Sequence, residues 1–386
     1  MRFRPKTIIL QKKAADSIMA RHVRAAHPDA KVKRVPFATH SWNGKTHSLE
    51  PQDHYKEKLQ KVAVLHRGAT WKPDPNGRST DFLPSVKLGT GCGFFCQYCY
   101  VERGKPNSYP KVYDDCLQMI KMVDHVLRNE ETFRAKMLKK SPRGAGKDFE
   151  KHRDPEHGPF ITFDLGCDSD CVIDNQITRH GATTLADGTF LDAYPGHVID
   201  LMNQISDIPG AMTSFATKGV ALQPFIDDCK HPERNRIRLS LMPEWQRQVL
   251  EMNTATVEQR LDAVNRLVAA GFEVHINLSP IVITSSFDDD YPALLKQIDD
   301  TLTQEAKNQL AYEVIFLTHS DVMYQPVEAR RPKAHAMMAR GPLPLAKKPH
   351  KPTVTTYTRR DKGPLKKQIR AWVEQYTPYA RIRYMF

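Results

Sequence analysis

The sequence predicts an α/β fold, a partial (β/α)6 barrel with a small N-terminal α/β lead-in and a basic C-terminal extension. From residue 85 onward, short β-rich runs alternate with amphipathic stretches, which is the pattern of a parallel sheet covered by helices. With 386 residues, 40% of them hydrophobic, the chain can bury a substantial core. In such folds the active site gathers at the carboxyl ends of the strands, so we expect the chemistry there.

Six runs are predicted to form the barrel strands, because each is rich in β-branched and aromatic residues. The first run ends directly before a group of cysteines, which places that group at the carboxyl edge of the sheet. The predicted strands are residues 85–91, 160–166, 212–218, 236–242, 273–283 and 312–319.

Two stretches between these strands carry hydrophobic residues at helical spacing, residues 114–128 and residues 256–270. Thr256 and Gln259 predict a capping box at the start of the second helix, and Gly271 is expected to end it.

We divide the chain into a lead-in (1–84), a barrel core (85–325) and a basic C-terminal arm with a closing helix and strand (326–386). Prolines and basic residues predict that the first part of the arm, residues 326–356, is extended. The remaining predictions are strands at TIIL and KVAVL, helices over residues 13–27 and 364–375, a strand at RIRYMF, and loops over residues 139–158 and 177–196.

The sequence has no run that approaches the ~18–20 consecutive apolar residues needed to cross a bilayer. Its first residues contain an apolar run that is too short for a signal peptide. We therefore expect a cytoplasmic protein with no membrane partner, in a bacterium or, for a viral protein, in an infected cell.

The positive charge is concentrated in one segment. Residues 330–370 contain thirteen Lys and Arg against one acid, Asp361, in a chain whose net charge is +13. Such a segment attracts phosphate backbones, which makes nucleic acid the first partner to consider. A solvated basic tail is the alternative.

Cys92, Cys96 and Cys99 form a C-x3-C-x2-C pattern. Three thiolates on one tight loop can bind three irons of a 4Fe-4S cluster, which leaves the fourth iron without a protein ligand. That iron can chelate S-adenosylmethionine (SAM) and pass an electron into its sulfonium, which releases a 5'-deoxyadenosyl radical. The pattern predicts a radical SAM enzyme, with a 4Fe-4S cluster and SAM as cofactors.

A structural zinc site is the alternative for these cysteines. Zinc takes four ligands, so a His or Cys from elsewhere would have to complete the set. The chain would then be a non-enzymatic nucleic-acid-binding protein. Seven cysteines, three of them within eight positions, suit a metal site in a reducing compartment better than a disulfide framework.

Beyond the cysteines, the sequence resembles radical SAM enzymes, and among them the spore photoproduct lyase family, over nearly its whole length. The resemblance rests on GTGCGFFCQYCYVERGKP, on FDLGCDSDCV after the second predicted strand, and on FATK and RIRLSL at the next two. It continues in NTATVEQRLDAVNRLVAAGF, YEVIFLTH and LKKQIRAWVEQYTPYARIRYMF. The Cys-x-Ser-Asp segment is more discriminating than the cluster pattern.

The resemblance assigns roles to residues beyond the cluster. It implies that Cys167 donates hydrogen to the product radical, although a cysteine there can equally be a small core residue. It implies that Ser169, Lys218 and Ser240 contact SAM, while Lys218 alone can be read as an ordinary strand-end cation.

Two tyrosines beside the cluster match family residues thought to relay the radical between thiol and SAM, and packing over the cluster is the other interpretation. They are Tyr98 and Tyr100. Cys171 has no counterpart in the family pattern, and it is either a core residue or a second thiol within reach.

The resemblance also implies a partner DNA that carries a modified or damaged thymine, and an electron donor such as flavodoxin or ferredoxin. The family has an aromatic, glycine-rich lesion hairpin near its C-terminus, where this chain is longer, proline-rich and more basic, and Met242 replaces a polar residue. This departure favours isomerisation of an amino-acid-bearing (glycyl) thymidine in genome hypermodification. Repair of spore photoproduct thymine dimers by a lyase is the alternative, and RNA or a peptide is a further possible target.

Overall fold

The computed structural model describes residues 3–36, 59–66, 82–83, 88–99, 109–129, 131–132, 161–166, 168–320, 331–339, 345–348, 351–357 and 359–385. The predicted boundaries at 84/85 and 325/326 and the predicted loop 139–158 lie outside these residues.

The described residues form an α/β protein. Its strands are β1 (Thr7–Gln11), β2 (Lys31–Val35), β3 (Lys61–Leu65), β4 (Phe82–Leu83), β5 (Gly89–Thr90), β6 (Phe95–Cys96), β7 (Lys111–Tyr113), β8 (Ile161–Asp164), β9 (Thr183–Thr184), β10 (Phe190–Leu191), β11 (Ala211–Thr217), β12 (Asn235–Leu241), β13 (Glu251–Met252), β14 (Glu273–Ile281), β15 (Ala311–Phe316), β16 (Thr318–Ser320), β17 (Leu345–Lys348), β18 (Lys351–Tyr357) and β19 (Arg381–Met385). Its α-helices are α1 (Ile18–Ala26), α2 (Ile120–Arg128), α3 (Cys171–Thr178), α4 (His197–Ser206), α5 (Gln223–Asp228), α6 (Glu244–Leu250), α7 (Val257–Ala269), α8 (Phe287–Thr301), α9 (Gln304–Gln309), α10 (Pro332–Ala339) and α11 (Arg359–Tyr376).

The chain divides into two compact units. The N-terminal unit comprises Met1–Gly93 and Lys105–Ile237, and the C-terminal unit comprises Phe94–Gly104 and Arg238–Phe386. The cysteine loop therefore starts in one unit and continues in the other.

A five-stranded sheet, in the order β2-β1-β3-β7-β5, combines three strands of the lead-in with β5 and β7 from beyond it. Its first three strands are parallel. Ser17 directly precedes α1, and its hydroxyl caps the helix by accepting from the N–H of Ala20. β5 pairs antiparallel with β7 in this sheet, so the prediction that residues 85–91 form the first barrel strand was wrong for Gly89 and Thr90. Strand partners are set by tertiary contacts, and the partners of Gly89 and Thr90 are Val112 and Lys111 of β7.

The other five predicted barrel strands share a seven-stranded sheet, in the order β19-β15-β14-β12-β11-β8-β4. β4 and β11 pair parallel with β8, and β14 and β19 pair parallel with β15. This open, curled parallel sheet confirms the predicted partial barrel, and it also includes the closing strand RIRYMF as β19. The predicted capping box of Thr256 and Gln259 is present at the start of α7.

Every residue of β12 is buried. Because side chains alternate along a strand, Ile237, Leu239 and Leu241 share its apolar face, and Arg236, Arg238 and Ser240 share a polar one. A buried polar face requires partners. Glu313 supplies one, because its carboxylate accepts from Arg238 at 3.2 Å.

The basic arm differs from the extended segment that the sequence predicted. Residues 332–339 form α10, and β17 and β18 form an antiparallel hairpin that continues to β16. Predicted loop 177–196 also contains a small hairpin, β9 with β10. Strand pairing and packing therefore outweigh the local preferences of proline, glycine and charged residues in these segments.

A membrane-spanning helix would need a long apolar run. In the ranges given above, the structure has no helix that is both long and apolar enough to cross a bilayer.

Candidate active site

The cysteine loop starts in the N-terminal unit at Gly91, directly before Cys92. Gly91 has a φ of 87°, and a Cβ at this position would lie 2.5 Å from the carbonyl oxygen of Tyr109, so only glycine fits. The N–H of Gly91 donates to the carbonyl oxygen of Asp168 at 3.0 Å. The start of the cysteine loop is thereby attached to the Cys-x-Ser-Asp segment.

Cys96 and Cys99 lie in the C-terminal unit. β6 pairs antiparallel with β13, which places Cys96 opposite Glu251. The N–H of Gln97 donates to the carbonyl oxygen of Leu250 at 2.8 Å, and the N–H of Cys99 donates to that of Cys96 at 3.1 Å. The backbone between the second and third cysteines is therefore a turn held against β13.

The donor chemistry of the three cysteines fits an iron-sulfur cluster. Cys92, Cys96 and Cys99 carry thiols rather than disulfides, Cys96 is buried and the other two are half-buried. Among the residues that the structure describes, no group of three or more His, Cys, Asp or Glu side chains is arranged to hold a metal ion. Convergence of the three thiols on one cluster therefore stays a prediction.

A buried ion pair lies behind the cysteine turn. Glu251 and Arg260 are both fully buried, and their side chains meet at 2.6 Å. The hydroxyl of Tyr98 donates to the other carboxylate oxygen of Glu251. Arg260 also donates to the carbonyl oxygen of Ser240 at 2.6 Å. This ion pair thus connects Tyr98, which lies between two predicted cluster ligands, with the main chain of Ser240, a predicted SAM contact.

The Cys-x-Ser-Asp segment is organised by its aspartate. Asp170 caps α3 by accepting from the N–H groups of Val172 and Ile173, as expected for an aspartate before a helix. Both its carboxylate oxygens also accept from the Thr217 hydroxyl at 2.9 Å, and one accepts from the N–H of Lys218 at 3.2 Å. Asp170 therefore joins the ends of β8 and β11, where Ser169 and Lys218 lie.

Ser169 is held in turn by Asp174, one turn into α3. The serine hydroxyl donates to Asp174 Oδ2 at 2.5 Å. Burial raises the pKa of the Asp174 carboxyl well above its usual range, and burial also raises the pKa of Asp170. Both acids are held in surroundings that favour the protonated form.

Two of the predicted site residues, Cys167 and Tyr100, lie outside the described residues. Cys171, which the sequence left as a core residue or a second thiol, is buried at the start of α3. A Cβ on Gly166 would lie 2.6 Å from its sulfur, and Gly166 has a φ of 73°. The Cys171 sulfur therefore packs against the backbone at the end of β8.

Met242 is the position where the resemblance implied a polar residue in the family. It is fully buried with Leu250, Val282 and Leu317, and Tyr98 packs against the same cluster. The substitution therefore extends an apolar core beside the cysteine turn.

Sequence reasoning missed the residues that hold the site together. Asp170 could have been found, because an aspartate directly before a helical stretch is a capping signal. Glu251 and Arg260 gave no signal, because they lie nine positions apart and the first belongs to a two-residue strand.

Comparison with known proteins decides the family. The family model described as spore photoproduct lyase matches residues 170–386, more than half of the chain. The chain belongs to the spore photoproduct lyase family. The spore photoproduct lyase of Bacillus subtilis (strain 168) is 21% identical over 318 residues, which cover 82% of this chain and 79% of that protein. That of Geobacillus sp. (strain Y412MC61) is 23% identical over 332 residues, with the same coverage.

Solved structures show the same fold for this spore photoproduct lyase family member. A cysteine-to-serine mutant of spore photoproduct lyase superposes with a TM-score of 0.75 at 17% identity, and the match covers 100% of both chains. A double mutant with bound AdoMet and dinucleoside spore photoproduct superposes with a TM-score of 0.71 at 16% identity, again over both whole chains. These structures confirm the predicted α/β fold, and the family match supports a spore photoproduct lyase-like radical SAM enzyme.

Proposed function

We propose that this chain is a radical SAM lyase that splits a thymine lesion of the spore-photoproduct type in DNA. The observation that carries the proposal is the family match, which begins at Asp170 and includes the ends of β11 and β12. One similar structure binds AdoMet and a dinucleoside spore photoproduct together, which supports the same pair of ligands here.

Cys92, Cys96 and Cys99 would hold a 4Fe-4S cluster, and Ser169, Lys218 and Ser240 would contact SAM. When bound, this pair of cofactors supplies a 5'-deoxyadenosyl radical, after one electron from a donor such as flavodoxin or ferredoxin. The basic segment would neutralise phosphates around an extruded lesion.

Cys167 would act after hydrogen abstraction has broken the bond between the two thymines. Its thiol donates a hydrogen atom to the resulting allylic radical, which completes the thymine and leaves a thiyl radical on Cys167. Tyr98 and Tyr100 would then relay the radical from that sulfur toward SAM. Each would pass its phenolic hydrogen to the preceding radical, and a hydrogen from 5'-deoxyadenosine would restore the last tyrosine. For Tyr98, this step requires its hydroxyl to leave the hydrogen bond with Glu251.

Isomerisation of glycyl thymidine is the second candidate. The sequence favoured this reaction because the family's lesion hairpin could not be recognised in it. β17 and β18 form an antiparallel hairpin in that segment, which weakens the argument. The lyase is therefore our first proposal, and the isomerase is tested beside it.

The experiment offers both substrates to the reconstituted enzyme with SAM and a reductant under anaerobic conditions. We expect mass spectrometry to show conversion of dinucleoside spore photoproduct into the undamaged dinucleoside, with no change in glycyl-thymine DNA. Cys92→Ala should abolish turnover, because the cluster loses a ligand.

Cys167→Ala is the informative variant. It should still consume the lesion but yield less correctly repaired product, because the hydrogen donor is missing. Rearrangement of glycyl-thymine with an intact photoproduct would replace the lyase by the isomerase. A preparation that contains zinc instead of iron would exclude both.

A further inference from the structure

The turn that carries two of the predicted cluster ligands depends on very little backbone pairing. β6 and β13 are two residues each, and Glu251 is the partner of Cys96 in that ladder. A two-residue ladder gives few hydrogen bonds, so side chains must supply the remaining restraint.

Arg260 supplies it from the first turn of α7. Its guanidinium donates to Glu251 and to the Thr254 hydroxyl, both at 2.6 Å, and to the carbonyl oxygens of Ser240 at 2.6 Å and Ala255 at 3.0 Å. A guanidinium has five donors in a rigid planar fork, so it fixes the relative directions of its partners.

We propose that Glu251 and Arg260 are positioning residues for the cofactor site. Glu251 orients the cysteine turn through Tyr98, and Arg260 sets that turn in register with Ser240. The inference rests on the proposed function, because it requires that the turn holds a cluster and that Ser240 contacts SAM. Mutation of a residue that orients a metal ligand typically lowers metal affinity by about 10–100-fold.

The test compares iron release in anaerobically reconstituted wild-type protein, Glu251→Gln and Arg260→Lys. Glutamine keeps the shape of the Glu251 side chain but removes its charge. Lysine keeps the positive charge of Arg260 but lacks the planar guanidinium with its five donors. We expect a ferrous chelator to remove iron at least about tenfold faster from both variants than from wild type. In the Arg260→Lys variant, the SAM concentration that half-changes the electron paramagnetic resonance signal of the reduced cluster should also rise by about tenfold.

Glu313→Gln is the matched control. Glu313 is also a fully buried carboxylate of the C-terminal unit, and its partners are Arg238, Arg383 and Tyr384. This control should lower the thermal stability of the apo-protein in the same way, without changing iron release or the SAM midpoint. A merely structural role for Glu251 would make its variant behave like the control.

Tyr98→Phe keeps the test decisive if the charge variants do not fold. It removes one hydroxyl and leaves the ion pair in place, and we expect faster iron release with a small change in melting temperature. Wild-type iron release in every folded variant would overturn the proposal. Wild-type protein that binds no iron-sulfur cluster would instead overturn the proposed function.

Discussion

Two buried carboxylates that hold predicted site residues, one in each compact unit, are stabilised in different ways. Asp170 in the N-terminal unit accepts hydrogen bonds from neutral donors, two helix N–H groups, the Thr217 hydroxyl and the N–H of Lys218. Glu251 in the C-terminal unit is paired with a buried cation, Arg260. A carboxylate among neutral dipoles has the option of taking up a proton. The negative charge of a carboxylate in a buried ion pair is compensated by its partner cation.

The difference predicts which substitution lowers the free energy of unfolding more. Breaking a buried ion pair leaves an uncompensated charge, whereas losing a cap or a neutral hydrogen bond leaves a smaller desolvation cost. Three substitutions, at Arg260, at Asp170 and at Asp174 in the same helix as the Asp170 cap, test this difference in order of expected effect.

The largest effect is expected at Arg260. Arg260→Leu should lower the free energy of unfolding by about 3–5 kcal/mol, because Glu251 is left buried without its cation. Urea denaturation of the apo-protein measures it. The double variant Glu251→Leu/Arg260→Leu should lose less than the sum of the two single variants. Additive losses would show that the two side chains do not act as a pair.

A smaller effect is expected at Asp170. Asp170→Ala should lower the free energy of unfolding by about 2 kcal/mol, because α3 loses its cap and the Thr217 hydroxyl loses its acceptor. The KM for SAM should rise more than kcat falls, since Ser169 and Lys218 are displaced together. Asp170→Asn retains a cap oxygen and should recover most of the stability. A KM equal to that of wild type in the alanine variant would remove Asp170 from the site.

The smallest effect is a pH dependence at Asp174. Burial raises the pKa of its carboxyl, so the folded protein retains a proton that the unfolded chain releases above about pH 4. The stabilising contribution of the Asp174 carboxyl is therefore fully present below that pH, and it is lost as the pH rises through the pKa of the folded state. Asp174→Asn should raise the melting temperature more at pH 8 than at pH 5. A difference in melting temperature between the variant and wild type that does not change with pH would contradict a raised pKa for Asp174.

Much of the fold could be predicted from the sequence, because hydrophobic spacing and capping are local signals. Five barrel strands and the Thr256–Gln259 capping box were found in this way. β5 was assigned to the wrong sheet, because a two-residue strand contains no information about its partner. The helix and hairpin of the basic arm were missed because proline content describes local preference, while strand pairing is decided by distant residues.

For the candidate site, the sequence by itself determined the family and predicted the chemistry. The Cys-x-Ser-Asp segment after a strand indicated the family that the comparison shows, and three cysteines at three-and-two spacing remain the predicted cluster ligands. Only the tertiary structure decided how those atoms are held. Asp170 joins the ends of β8 and β11. Arg260 contacts both Glu251 and Ser240, and the latter lies twenty positions before it in the sequence. The physical reason is that ligand spacing is set along the chain, whereas buried charges and caps find their partners only when strands and helices pack together.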